Sequence, residues 1–204
     1  FYGFILSLLG VFFLYHWANW LTVLVALIGL FFYVVVYSLW FKRNSIYGTL
    51  IGSISGSIPP VVGYCAVSNK FDLGALILFV LLSVWQMPHS YAIAIFRFND
   101  YSSAGIPVLP VKKGIQVAKR NMLLYVVIFT VVSSLLSLCG YTGKYYLIVA
   151  LAVGLWWIRL AASGFRANNN DISWARKMFG FSIIAIMLLS LMMALNSTVL
   201  LSAL

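Results

Sequence analysis

The residues best suited to chemistry lie together in one stretch. Ser83-Val84-Trp85-Gln86-Met87-Pro88-His89-Ser90-Tyr91 sits inside an apolar run of about 73–96. A Pro, a Gln and a His deep in such a run are costly in hydrocarbon. They predict a cavity or a polar partner, and by default a functional site. His89 lies seven residues before Phe96, about 10 Å from the end of a helix at about 1.5 Å rise per residue. Gln86, His89, Ile93, Arg97 and Asp100 follow at spacings of 3, 4, 4 and 3. If the helix runs on, they share one face that begins inside the membrane and ends in a polar loop. Beyond it, Asn99 to Gly114 joins one carboxylate, Asp100, to the basic pair Lys112-Lys113. That combination suits a divalent metal carrying a phosphate. Mg²⁺ is typically held by one or two carboxylates plus substrate phosphate, and Lys and Arg supply charge and donors to phosphate oxygens. One Asp alone is not a metal site, so spacing by itself leaves this reading open.

The elements that must position these residues follow from composition. The chain has 204 residues, 64% hydrophobic and 8% charged. Soluble domains are about 45–50% apolar and about 25% charged, so the sequence predicts an all-α, polytopic transmembrane helix bundle. Seven apolar runs can be read, at about 1–18, 20–41, 46–67, 73–96, 122–140, 145–163 and 178–200. Most approach the roughly 20 residues that span a bilayer. Residues 1–204 read as one transmembrane domain with a long loop at 97–121. A loop of that length in a compact bundle is uncommon and often functional, although a solvated basic loop would meet anionic lipid headgroups. Eleven basic residues fall in one set of loops and helix ends, against Lys70 and Lys144 in the other. This positive-inside split predicts a cytoplasmic site and a C-terminus across the membrane. The chain opens on Phe1 with no basic flank, which reads as a span whose start is cut off, not as a signal peptide.

Smaller features complete the reading. Gly48, Gly52 and Gly56 recur every four residues, a small-residue stripe that lets backbones approach, and Pro59-Pro60 then predicts a kink or a break. Cys65 and Cys139 show no metal or redox spacing and read as buried small hydrophobes. There is no Glu, and the acids are Asp72, Asp100 and Asp171. Asn168-Asn169-Asn170-Asp171 reads as a polar turn, with Asp171 a turn or cap residue. His16, among Tyr15, Trp17 and Trp20, reads as part of an interfacial aromatic belt. Lys42-Arg43 reads as a topology anchor.

The blocks Trp85-Gln86-Met87-Pro88-His89-Ser90-Tyr91, Asp100-Tyr101 and Ala104-Gly105-Ile106-Pro107-Val108-Leu109-Pro110 resemble the heme O synthases (protoheme IX farnesyltransferases), a branch of the UbiA-type intramembrane prenyltransferases. Tyr47 to Ser53, Pro59-Pro60 and Trp174-Ala175-Arg176-Lys177 are similar to the bacterial members. The resemblance runs over nearly the whole chain. It implies a nine-helix fold around a cytoplasm-facing cavity, with the seven runs here matching helices three to nine. The family's first acidic motif has no counterpart in this sequence, so the chain is expected to be a fragment lacking two helices. The single-Asp form of the second motif is similar to the heme-modifying branch. The implied activity is transfer of a farnesyl group from farnesyl diphosphate to a vinyl group of heme b, giving heme O for terminal oxidases. Implied partners are both substrates, the lipid bilayer and terminal oxidase assembly, with no nucleic acid. In that reading Asp100 holds Mg²⁺-diphosphate. Gln86, Arg97, Tyr101, Lys112 and Lys113 bind substrate. His89 ligates heme iron, orients heme, or acts as a base. Two other classes are compatible with parts of the sequence. A transporter also uses discontinuous helices and an intramembrane His, and an oxidase assembly subunit could hold heme without chemistry.

Overall fold

The computed structural model describes residues 2–166 and 170–198. The described residues are almost entirely helical, with a single isolated bridge between Thr142 and Ser197. Helix α1 covers Tyr2–Trp17 and α2 covers Trp20–Phe31, which runs on into a π-helical segment, Phe32–Phe41. Then come α3 (Gly48–Ser68), α4 (Leu73–Phe96), the short α5 (Phe98–Ser103) and α6 (Leu109–Lys113), α7 (Ile115–Leu138), α8 (Lys144–Ser163) and α9 (Asp171–Leu195). Six helical stretches are long and apolar enough to cross a bilayer, while α1 is shorter at 16 residues. The chain is a multi-pass membrane protein, and large apolar side chains such as Leu124, Leu155, Trp156 and Met187 face outward. In lipid this is the solvated surface.

Two of the expected boundaries move. The seventh run begins at Asp171, not near 178, and its expected end reaches beyond the described residues. The fifth begins at Ile115, so the segment 97–121 carries α5, α6 and the first turns of α7. In both cases the extra turns contain Lys119, Arg120, Arg176 or Lys177. Hydropathy marks the lipid-facing length of a helix and stops where the helix continues into the polar interface. Asn168 and Asn169 of the expected polar turn lie outside the described residues.

The main core joins α4, α7, α8 and α9, with Leu81, Phe129, Trp157 and Met178 fully enclosed. A smaller core joins α2, α3 and α4 through Val25, Ile58, Val61, Cys65 and Ala75. Helix α4 belongs to both and is the central wall. Gly29 admits Ile58 so closely that an added Cβ would lie 2.6 Å from its Cγ2. Helix α3 runs unbroken through Pro59 and Pro60, so of the expected kink or break the break is absent. Their fixed φ is itself helical, so the helix can continue, at the cost of two N–H donors and of crowding against the carbonyls one turn earlier. The rims are tied by caps. Asn19 accepts from the Thr22 N–H at 2.9 Å and donates to the Cys65 carbonyl at 2.9 Å, joining α2 to the end of α3. Asp72 caps α4 by accepting from Gly74 and Ala75 N–H, and also from the Tyr64 hydroxyl at 2.9 Å. Cys65 is buried as expected, but Cys139 is exposed, because it caps α7 where the helix ends at the rim. His16 stacks on Phe12 with ring centroids 5.7 Å apart, within an aromatic cluster that includes Trp17.

Candidate active site

Two clefts flank α4 at the end of the bundle that carries residues 97–114. The first has a volume of about 600 Å³ and is lined by the π-helical segment, α3, α4, α5 and the strap Ile106-Pro107-Val108. Its wall is built from the glycine stripe. Gly52 faces the Tyr37 ring, with 3.0 Å available to an added Cβ, and Gly56 faces the Gln86 carboxamide. The small residues leave room, and the aromatic and amide groups fill it. Gln86 donates to the Leu82 carbonyl at 3.0 Å, Ser57 Oγ at 3.2 Å and the Ser53 carbonyl at 3.3 Å. Ser57 and Ser83 hydroxyls meet at 2.7 Å. This α3–α4 network satisfies the polar groups that hydrocarbon would penalise. Tyr33, Tyr37, Ser90 and Tyr101 add further polar edges to the cleft, and Lys42 adds the charge.

The second cleft, about 500 Å³, lies across α4 and is charged. Arg97, Asp100, Asp171 and Arg176 line it, with Ile95 and Ile115 beneath. Arg97 terminates α4 (φ −106°, ψ 25°) and its guanidinium donates to Asp100 at 3.2 Å. Both side chains are largely exposed, at 63% and 66%. Asp171 is held differently. It is the first residue of α9, capped by Asn170, and it accepts from Lys119 at 2.5 Å. The Lys119 side chain is only 3% exposed, donates also to the Gly164 carbonyl at 2.7 Å, and lies 5.4 Å from the Trp174 ring centroid. Asp171 is therefore more than the turn residue read from the sequence. It ties α9 to α7 and to the end of α8.

The structure separates the residues expected on one face. Gln86 turns toward α3 and the first cleft, whereas His89 turns toward α9, where Nδ1 lies 2.7 Å from Ser182 Oγ. Its ring is sandwiched between Trp85 (4.9 Å) and Phe179 (4.8 Å), and Trp85 Nε1 donates to the Ser182 carbonyl at 2.8 Å. A spacing of three leaves a helical offset of roughly 60°, enough to give the two residues different neighbours. Arg97 and Asp100 share the second cleft. Tyr101, on α5 with Asp100, lines the first. Lys112 and Lys113 are exposed on α6 and line neither. Among the described residues no group of three or more His, Cys, Asp or Glu is gathered as a metal site. The sequence reading missed Tyr33, Tyr37, Ser90, Ser182 and the role of Lys119. It also took Lys42 as an anchor, whereas Lys42 lines the first cleft beside Tyr37, 5.9 Å from that ring. Tyr33 and Tyr37, four apart in an apolar run, carried a readable signal, while Ser182 carried none.

A helical bundle with glycine-walled and charged clefts at one end matches known proteins along nearly its whole length. The model of the UbiA prenyltransferase family matches residues 1–183. The chain belongs to the UbiA prenyltransferase family. It is 55% identical over 197 residues to a protoheme IX farnesyltransferase of Baumannia cicadellinicola subsp. Homalodisca coagulata, covering 96% of this chain and 68% of that protein. It is 58% identical over 196 residues to one of Pectobacterium carotovorum subsp. carotovorum (strain PC1), covering 96% and 66%. The chain thus spans about two thirds of the length of the curated relatives it matches. A solved structure of digeranylgeranylglyceryl phosphate synthase superposes with a TM-score of 0.79 at 19% identity, covering 96% of this chain and 67% of that one. That likeness carries the fold, and the expectation of an all-α UbiA-like bundle is borne out.

Proposed function

We propose that this chain forms the larger part of an enzyme that transfers a farnesyl group from farnesyl diphosphate to heme b, giving heme O. The observation that carries the reading is the 55–58% identity to protoheme IX farnesyltransferases over 96% of the chain. Membership of the family, two clefts at one end of the bundle, and the basic residues gathered at that end support it. The bacterial relatives and the charge split support an inner-membrane location with the clefts toward the cytoplasm and the C-terminus in the periplasm. Release of the product to terminal oxidase assembly completes the proposal.

Asp100 is the carboxylate suited to a metal-bound diphosphate. It is exposed and lines the charged cleft, and its partner Arg97 can itself donate hydrogen bonds to phosphate oxygens. Mg²⁺ needs only one or two carboxylates when phosphate and water fill its remaining positions, and Asp100 fits one of these. When bound, Mg²⁺ neutralises the charge that develops on the leaving diphosphate. Arg97 and Arg176 add donors on the same cleft. Lys112 and Lys113, one short helix away, are placed to draw in diphosphate or heme propionates. Tyr101 and Gln86 line the first cleft, whose scarce charge suits the apolar prenyl tail, while the allylic cation stays beside the diphosphate it leaves until the heme vinyl group attacks it; water then adds to the resulting cation and a proton is released, completing the hydroxyethylfarnesyl side chain. His89 stands at the α4–α9 contact as the candidate heme-facing group.

The test is direct. Membranes bearing the full-length protein are supplied with heme b, farnesyl diphosphate and Mg²⁺, and hemes are separated by chromatography. A hydroxyethylfarnesyl heme is expected, reduced at least tenfold by Asp100→Asn. Heme b recovered unchanged from protein that still binds it would remove the transferase reading in favour of a heme-holding subunit.

A further inference from the structure

Ser182 belongs to no motif recognised in the sequence, yet its hydroxyl lies directly against the His89 ring. Its hydroxyl makes two short contacts, 2.6 Å to the Phe179 carbonyl and 2.7 Å to His89 Nδ1. Each contact needs a hydrogen between its atoms, since two lone pairs at that distance repel. A serine hydroxyl has one hydrogen, and a carbonyl has none. If that hydrogen pointed at Nδ1, the two oxygens would face each other bare at 2.6 Å. Both contacts are satisfied only when Ser182 donates to Phe179 and Nδ1–H donates to Ser182. In the neutral imidazole the ring nitrogen opposite is then without a proton.

The rest of the environment makes this assignment rigid. Ser182 is fully buried. Trp85 and Phe179 clamp the two faces of the imidazole, and the Trp85 indole is itself anchored on the Ser182 carbonyl. The ring cannot flip without breaking the stack and the Nδ1 bond together. His89 is only partly buried, and Nε2 makes no hydrogen bond among the described residues. With the faces covered and Nδ1 spoken for, the Nε2 edge is where the ring can meet another group.

We propose that Ser182 is a positioning residue that fixes His89 in its neutral Nδ1–H form, so that Nε2 presents a lone pair to the heme substrate. This rests on the heme reading given above for what meets the lone pair, but the tautomer itself does not. A hydrogen bond at the other nitrogen is the usual way a protein sets which imidazole nitrogen is free to coordinate or to accept a proton. Here the partner is a hydroxyl whose own donor is committed to a helix carbonyl.

The experiment uses the full-length protein in lipid nanodiscs, labelled with ¹⁵N-histidine, and His89 is assigned by the signals that vanish in His89→Gln. Nitrogen shifts and two-bond couplings identify the protonated ring nitrogen without any substrate. The expected result is Nδ1–H in the unaltered chain. Ser182→Ala should lower the Nδ1–H to Nε2–H ratio by roughly 2- to 13-fold, the range of one hydrogen bond, and Ser182→Thr should restore it. A purely structural role would not move that ratio. Nε2–H in the unaltered chain overturns the proposal, as does Ser182→Ala retaining the starting ratio. Heme titration of the same samples separates the two readings. A correct tautomer with no histidine-dependent heme spectrum leaves the Ser182 assignment standing and counts against the heme reading alone.

Discussion

Replacing Lys119 by Met is the sharpest stability test in the bundle. The methionine keeps the length and apolar stem of the side chain, and removes only the ammonium. In the native protein that ammonium is 3% exposed, 2.7 Å from the Gly164 carbonyl and 2.5 Å from Asp171. Breaking a fully buried pair by removing one partner costs about 3–5 kcal/mol, because the other charge stays behind uncompensated. The Asp171 side chain is 32% exposed, so its carboxylate regains part of its hydration and the figure falls to the low end. The Gly164 carbonyl loses a charge-assisted donor, worth about 1.5–3 kcal/mol and overlapping with the first term. The expected loss is about 3 kcal/mol. Unfolding in mixed micelles by SDS titration measures it. Adding Asp171→Asn removes the stranded charge, so the double variant should lose less than the two single losses summed, by about 1–3 kcal/mol. A Lys119→Met protein within about 1 kcal/mol of the parent, or strict additivity in the double variant, would refute the view that this pair holds α7, α8 and α9 together.

Three further outcomes are expected. Gly56→Val must displace Gln86 from Ser53 and Ser57, costing about 1–3 kcal/mol by overpacking. Gln86→Ala should recover part of that in thermal melts, and an unshifted melting temperature contradicts the described packing. Asp72 carries a pH signature. Burial alone would raise its carboxyl, but the Tyr64 hydroxyl and the N–H groups of Ala75 and Gly74 outweigh it and hold the carboxyl below the usual range. Its stabilisation is thus complete above the unfolded value of about 3.9 and lost as pH falls through the lower folded value. Asp72→Asn should flatten that acid limb of a stability–pH curve, and an unchanged limb contradicts the assignment. Asp100→Asn removes only an exposed ion pair, worth about 0.2–1 kcal/mol, so heme conversion should collapse while melting barely moves. Parallel loss of both would assign Asp100 a structural role.

The bundle was largely legible because each apolar run must satisfy its own backbone, and the helix is the way to do that in lipid. Periodicity could not reveal what polar helix ends do. Lys119 looked like one of many loop charges, since the partner that gives it meaning, Asp171, lies 52 residues away. The chemistry-bearing stretch around Gln86 and His89 was marked by residue type alone, but spacing put both on one face. The structure hands one to Ser53 and Ser57 on α3 and the other to Ser182 on α9. The π-helical turns at Phe32–Phe41 had no visible signature, although such turns often sit at functional sites, and here they carry Tyr33 and Tyr37 into the first cleft.

The contact between Arg97 and Asp100 has a kinetic side. A carboxylate locked in a buried pair would have to be freed before it could bind anything, and the fraction of time it stands free would scale down every affinity. At about 0.2–1 kcal/mol for an exposed pair, that tax on Asp100 is no more than roughly sixfold. In the function proposed above, Arg97 would keep the carboxylate oriented at the cleft mouth while it is idle and yield it when diphosphate binds. A helix end that stops at Arg97 and restarts at Phe98 supplies the short tether this exchange requires.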